Sequence, residues 1–245
     1  HVLVEDMGVV PGNRVLLRGP NNPMMAACWL AIMKVGAVCV ATMPLLRARE
    51  LTDIVTKAAV THALCDKRLD AELKAALPAC PTLRTIRSWY GDAPDALDAL
   101  ALRCPATFAN VDTAADDVAL IAFTSGTTGK PKGTMHFHRD VIAMCDLFPR
   151  SCLKPTADDI FCGTPPLAFT FGLGGMLGFP LRVSASTVLV EKLSPESMFE
   201  TIERFRATVC FTSPIMFRAM AALAPRYDFS SLKKCVSAGE ALPDA

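Results

Sequence analysis

Ten consecutive residues, Thr124-Ser-Gly-Thr-Thr-Gly-Lys-Pro-Lys-Gly133, define a chemistry before any fold is known. Three glycines let backbone amides converge, four hydroxyl side chains donate hydrogen bonds, and Lys130 and Lys132 neutralise charge, which together suit a loop wrapped round an anion, with phosphate the obvious one. The nucleotide-binding pattern Gly-x4-Gly-Lys-Ser/Thr is excluded, because only two residues separate Gly126 from Gly129 and Lys130 is followed by proline. A Gly/Thr surface turn would explain any six of these positions, not all ten.

The loop must be held by its flanks. Val118–Phe123 is uncharged and β-prone and reads as a buried strand; Thr134–His138 reads as a second strand, so the loop hangs between the two. Upstream, Arg14–Arg18 reads as a strand, Asn22 and Pro23 open an apolar helix that runs to Val35 and stops at Gly36, and Ala37–Ala41 returns as a strand. The plan repeats in a helix from Arg47 to about Ala58, a strand Thr61–Cys65 and a helix around Leu69–Leu77. Such crossovers are expected to be right-handed and to leave parallel strands. Residues 88–117 are polar and Pro/Asp-rich without a clear period and read as a connecting excursion. Alternation resumes with strands at Thr187–Val190, Thr208–Phe211 and Lys234–Ser237 and helices at Pro195–Phe205 and Pro214–Leu223, whose Ser194 and Ser213 are N-cap residues. The expectation is an α/β fold of mainly parallel sheets flanked by helices, with subregions 1–117 and 118–245. Ligands of such sheets bind beyond the carboxyl ends of the strands, which puts Thr212-Ser213-Pro214 and Ala238-Gly239-Glu240 on one rim.

The 245 residues carry a net charge of +1 with mixed signs, so nothing favours nucleic acid or an anionic membrane surface as a partner, and an anion must be caught locally. Ten cysteines without a Cys-x-x-Cys pair in a chain this long read as reduced thiols of a cytoplasmic protein. Ile160–Leu181 has no charged residue and is long enough to span a bilayer, but three prolines and five glycines break it, so a buried loop plus helix is expected. His136 and His138 would share a strand face at metal-ligand spacing, yet no third ligand accompanies them and no metal site is expected.

The 124–133 string resembles, position by position, the phosphate-loop signature of the adenylate-forming superfamily: acyl-CoA synthetases, aryl-CoA ligases, luciferases and peptide-synthetase adenylation domains. The resemblance covers essentially the whole chain, through Val9-x-Pro-Gly-x-Arg-Val15, Asn22-Pro23, Lys34-Val-Gly-Ala37, Pro165-Pro-Leu-Ala-Phe-Thr-Phe-Gly172 and Ser237-Ala-Gly-Glu-Ala-Leu-Pro243. It implies the layered αβαβα N-terminal domain of such an enzyme, and it implies ATP, Mg²⁺ and coenzyme A as cofactors and a small carboxylic acid as substrate. By resemblance Thr124, Ser125, Gly126, Thr127, Thr128, Gly129, Lys130, Lys132 and Gly133 hold phosphates, while Gly239, Glu240 and Ala241 lie against the nucleotide, Glu240 either touching it or capping the next helix. Phe169 is the acyl-pocket wall, with Phe171, Gly172, Gly174, Ser213 and Ala238 beside it; the alternative is that these aromatics are core. The strings Gly133–Asp140 and Pro165–Gly175 look most like benzoate- and 2-aminobenzoate-CoA ligases, with a medium-chain fatty acid as the alternative substrate. The family's nucleotide and Mg²⁺ motif, ribose-binding Asp, hinge and lid lysine would fall beyond Ala245, so the chain reads as a truncated N-terminal piece with no catalytic residue of its own and little turnover alone. A non-catalytic nucleotide-binding module and a membrane-associated protein are the readings from other classes. The sequence leaves the oligomeric state open.

Overall fold

A computed structural model describes residues 1–124 and 131–241. The chain forms two compact units, His1–Val141 and Ile142–Ala245.

In the first unit, β1 (Arg14–Arg18), β2 (Val38–Thr42), β3 (His62–Asp66), β4 (Thr85–Trp89), β5 (Val118–Thr124) and β6 (Lys132–Phe137) make a sheet of order β4-β3-β1-β2-β5-β6. All pairings are parallel except β5–β6. Val15, Leu16 and Leu17 are all buried, as a strand covered on both faces requires. Alternate residues serve alternate faces: Leu16, Val40, Ala63 and Cys65 join one cluster with Leu51, Ile54 and Val55 of α2 (Ala48–Lys57) and Leu73 of α3 (Asp70–Ala76), in the order the sequence led us to expect. The helix between β1 and β2, α1 (Pro23–Lys34), starts as anticipated: the Asn22 side chain accepts from the Met25 amide at 2.8 Å.

Three expectations need correction here. The excursion at 88–117 holds the end of β4 and a short helix, α4 (Leu97–Ala101). Strand β4 is an edge whose Arg87 pairs with Asp6, and five residues are too few to display a helical period, so neither announced itself as apolar alternation. Strand β6 ends at Phe137, whose amide donates to the Asp140 carboxylate at 2.9 Å, and His138 opens α5 (His138–Phe148), so His136 and His138 do not share a strand face. Strand β5 is buried only at Ala119 and Leu120. The two compact units divide at Val141/Ile142, so β5 and β6, which complete the first sheet, stay with it.

The second unit has a parallel sheet of order β10-β9-β7-β8, from β7 (Ile160–Gly163), β8 (Ser186–Val188), β9 (Val209–Thr212) and β10 (Lys234–Ser237). One face packs Cys162 and Cys210 on Met198, Phe199 and Ile202 of α8 (Pro195–Phe205) and Met220 of α9 (Pro214–Ala221). On the other face the Phe211 ring lies 6.1 Å from Phe161 and from Phe179 and 5.7 Å from Phe171. The uncharged 160–181 run therefore includes a strand, β7, as well as the expected loop and helical stretch, α6 (Thr170–Leu173) through α7 (Phe179–Arg182). Among the described residues no helix is long and apolar enough to cross a membrane.

At the amino ends of β7, β9 and β10 the buried Asp159 accepts from Lys234 Nζ at 2.7 Å, Thr208 Oγ1 at 2.7 Å and the Thr156 amide at 2.9 Å. Burial pushes this carboxyl up, but the Lys234, Thr208 and Thr156 donors outweigh it and hold it below the ordinary carboxylate range. A depressed folded-state value means that the stabilisation is complete above the unfolded carboxylate's pKa and is lost as pH falls through the folded one. We expect Asp159→Asn to cost about 2–3 kcal/mol at pH 7 and the gap from the native chain to shrink in acid, measured by urea unfolding at pH 7, 5 and 3.5.

Candidate functional site

Strands β5 and β6 form the antiparallel hairpin that carries the 124–133 segment expected to bind an anion. Thr124 pairs with Lys132 and Phe123 with Gly133, so the two ends of the loop emerge side by side from paired strands. Both Thr124 and Lys132 are exposed. Just inside the far end, the Pro131 carbonyl accepts from Lys57 Nζ at 2.7 Å. A Cβ on Gly133 would stand 3.0 Å from Ile121 Cγ2 and 3.1 Å from Phe123 Cζ, so those side chains would have to give way. Ser125, Gly126, Thr127, Thr128, Gly129 and Lys130 lie outside the described residues.

In the second unit, register does the positioning. Ser237 pairs with Thr212 and Gly163 with Phe211, so the chain leaves β7, β9 and β10 at one common edge. That edge carries Thr164, Ser213 and Ala238-Gly239-Glu240, as the parallel-sheet argument anticipated. Thr164 Oγ1 and Thr212 Oγ1 are hydrogen-bonded across it, and the Ser237 hydroxyl beside them is buried without a partner. Ser213 Oγ accepts from the Met216 amide at 3.3 Å, the N-cap its position implied. Gly239 sits at φ +97°, a conformation that side chains rarely adopt, and no heavy atom of a described residue stands within 4 Å of where a Cβ would be. The backbone at Gly239 is thus open on its Cβ side.

Phe169 precedes α6, its amide donating to the Pro166 carbonyl at 3.0 Å, and the residue is 40% exposed. Phe171 is half-buried, with its ring on Phe211. Gly172 and Gly174 are buried and play a different part. A Cβ on Gly172 would stand 2.0 Å from the Pro166 carbonyl oxygen, and one on Gly174 would stand 2.9 Å from Phe179 Cζ. These glycines let the helical stretch press onto Pro165-Pro166 and the ring cluster, and so fix where Phe169 starts. The sequence reading placed Thr212 on the rim but overlooked Thr164 and the Phe211 ring cluster; glycines at 163, 172 and 175, each of whose Cβ would strike Phe211 or the Pro165-Pro166 backbone, were the available signal.

No group of three or more His, Cys, Asp or Glu able to hold a metal ion occurs among the described residues. The cysteines are free; Cys162, Cys210 and Cys235 lie in register on adjacent strands. Contact with Cys162, then burial, pushes the Cys210 thiol up, so it stays a neutral packing group.

The family model for AMP-binding enzyme matches residues 1–245. A benzoate–CoA ligase of Thauera aromatica is 32% identical over 241 residues, covering 97% of this chain and 46% of its own length. An anthranilate–CoA ligase of Pseudomonas aeruginosa is 33% identical over 237 residues, covering 95% of this chain and 45% of its own. Among solved structures, the anthranilate CoA ligase AuaEII in complex with anthranoyl-AMP superimposes with a TM-score of 0.93 at 29% identity, over 98% of this chain and 48% of that one. The chain thus spans about half the length of the curated relatives it matches.

Proposed function

This chain belongs to the AMP-binding enzyme family, and from that premise we propose that it supplies the ATP- and acid-binding part of a ligase that activates an aromatic carboxylic acid to its adenylate and then to a coenzyme A thioester. The observation that carries the aromatic reading is similarity along nearly the whole chain to ligases named for benzoate and anthranilate.

A carboxylate is a poor electrophile at neutral pH, and adenylation converts its oxygen into part of a good leaving group. Because the acid arrives already ionised, its attack on the α-phosphate needs no general base; it needs two anions held in line and their charge neutralised. In this reading Thr124 and Lys132 act at the mouth of the β5–β6 hairpin, with Ser125, Gly126, Thr127, Thr128, Gly129, Lys130 and Gly133 completing the phosphate cradle. Donors here are neutral hydroxyls and amides plus lysine ammonium groups, which fits a triphosphate tail. Gly239 and Ala241 present backbone to the nucleotide, and the room at Gly239 fits a planar base. Mg²⁺ would neutralise triphosphate charge, and the described residues include no group of three or more His, Cys, Asp or Glu that could hold it. The aryl group lies against Phe169, with Phe171 behind it and Ser213 and Ala238 at the rim. Coenzyme A supplies the acyl acceptor, and no described residue is assigned to it.

Phe169→Ala is expected to raise KM for an aryl acid by about tenfold and KM for ATP by less than about twofold, since one aromatic contact contributes about 1 kcal/mol beyond its buried area. Initial-rate kinetics on the native-length protein measure both. The reaction itself is tested by supplying ATP, coenzyme A and a panel of aryl and aliphatic acids and identifying the thioester by mass. Aryl-CoA as the dominant product supports the proposal. A straight-chain acyl-CoA in its place would move the substrate to medium-chain fatty acids, and no thioester with any acid would remove the ligase reading.

A further inference from the structure

The first turn of α9 has its amides accounted for by the protein itself. Pro214 has no N–H to offer, the Phe217 amide donates to the Ser213 carbonyl at 3.0 Å, and the Met216 amide donates to Ser213 Oγ. The remaining donor, the Ile215 amide, goes to Glu240 Oε1 at 3.3 Å. Glu240 comes from the turn after β10, and two features bring it there. The Ser237–Thr212 register sets residues 238–240 beside residues 213–215, and the positive φ of Gly239 swings the chain back over the helix end. A carboxylate at a helix N-terminus is also favoured by the aligned peptide dipoles. This is a cap, as one of the two sequence readings had it, but of the preceding helix and not the following one.

We propose that Glu240 is a positioning residue: its carboxylate ties the Ala238-Gly239-Glu240 turn to α9 and so fixes the backbone on which the nucleotide rests, without touching the nucleotide. The inference rests on the adenylation reading above for its functional consequence. It has a structural corollary. With Glu240 in place the α9 N-terminus has no spare amide, so a substrate phosphate or carboxylate does not bind there. Among the described residues no heavy atom stands within 4 Å of a Cβ built on Gly239, and the Glu240–Ile215 hydrogen bond is what ties this turn to α9.

The decisive comparison is Glu240→Ala against Glu240→Gln in the native-length protein. The Gln amide oxygen still accepts from Ile215, whereas it cannot replace a charge. Losing one cap-strength hydrogen bond is expected to raise KM for ATP by about fivefold in Glu240→Ala, with KM for the acid within about twofold, and Glu240→Gln is expected to recover most of the loss. Hydrogen exchange over residues 213–217 follows the same order: faster in Glu240→Ala, close to native in Glu240→Gln. An unchanged KM for ATP in Glu240→Ala overturns the proposal. So does a Glu240→Gln enzyme as impaired as Glu240→Ala, which would mean that the charge itself acts on the ligand. If the native protein shows no acid-dependent turnover, the adenylation reading falls, and the exchange data still decide whether the tether exists.

Discussion

Lys132→Ala is expected to lower acid-dependent adenylation by about a hundredfold while leaving thioester formation from supplied aryl-adenylate within about threefold of the native rate. The asymmetry follows from where the lysine stands. Lys132 opens β6, exposed and directly paired with Thr124 at the end of β5, which sets it at the far end of the 124–133 segment. In the proposed reaction charge builds on the β- and γ-phosphates as pyrophosphate leaves, and a cation there would stabilise that transition state. In the second half-reaction the triphosphate tail is gone, and nothing remains for this residue to neutralise. Single-turnover rates of the two half-reactions, measured separately on the native-length protein, check the expectation. Equal losses in both would refute the assignment and make Lys132 a residue on which folding depends.

Gly172→Ala is expected to cost more than about 3 kcal/mol of stability, enough to leave much of the protein insoluble when produced at 37 °C. The atoms in the way are main chain: the Pro166 carbonyl oxygen at 2.0 Å, its carbonyl carbon at 2.4 Å and the Pro165 oxygen at 2.6 Å from the added methyl. A flexible side chain could rotate away from such a contact, but two consecutive prolines cannot. The helical stretch would have to lift off, taking with it the ring packing of Phe171 and Phe179 on Phe211. Urea or thermal unfolding of the purified variant measures the loss, and a variant as stable as the native chain would show that α6 does not press on Pro165-Pro166.

The sequence made much of this fold legible because parallel sheets leave a strong imprint. Fully buried strands such as Leu16 and its neighbours appear as short apolar runs, and Asn22-Pro23, Ser194-Pro195 and Ser213-Pro214 mark helix starts that the structure reproduces. What stayed hidden lacked such an imprint. Strand β4 has Arg87 engaged with Asp6, so its pattern is that of a polar edge, and α5 begins where a carboxylate two residues inside it, Asp140, stops a strand that composition alone would have continued. In the candidate site, single residues could be named from motifs, but their division of labour could not. Gly172, Gly174 and Gly239 look alike in a sequence; the first two make room for backbone and rings, and the third adopts a positive φ over open space. Glu240 posed the same problem, since its partner Ile215 lies twenty-five positions away and only the β9–β10 register brings the two together.

The most direct measurement is exchange of labelled pyrophosphate into ATP by the native-length protein, with and without benzoate or 2-aminobenzoate. If the 124–133 segment cradles a triphosphate in an enzyme that adenylates aromatic acids, exchange depends on the acid and falls about a hundredfold with Lys132→Ala. Exchange that proceeds equally without any acid, or that no acid elicits, would contradict the account.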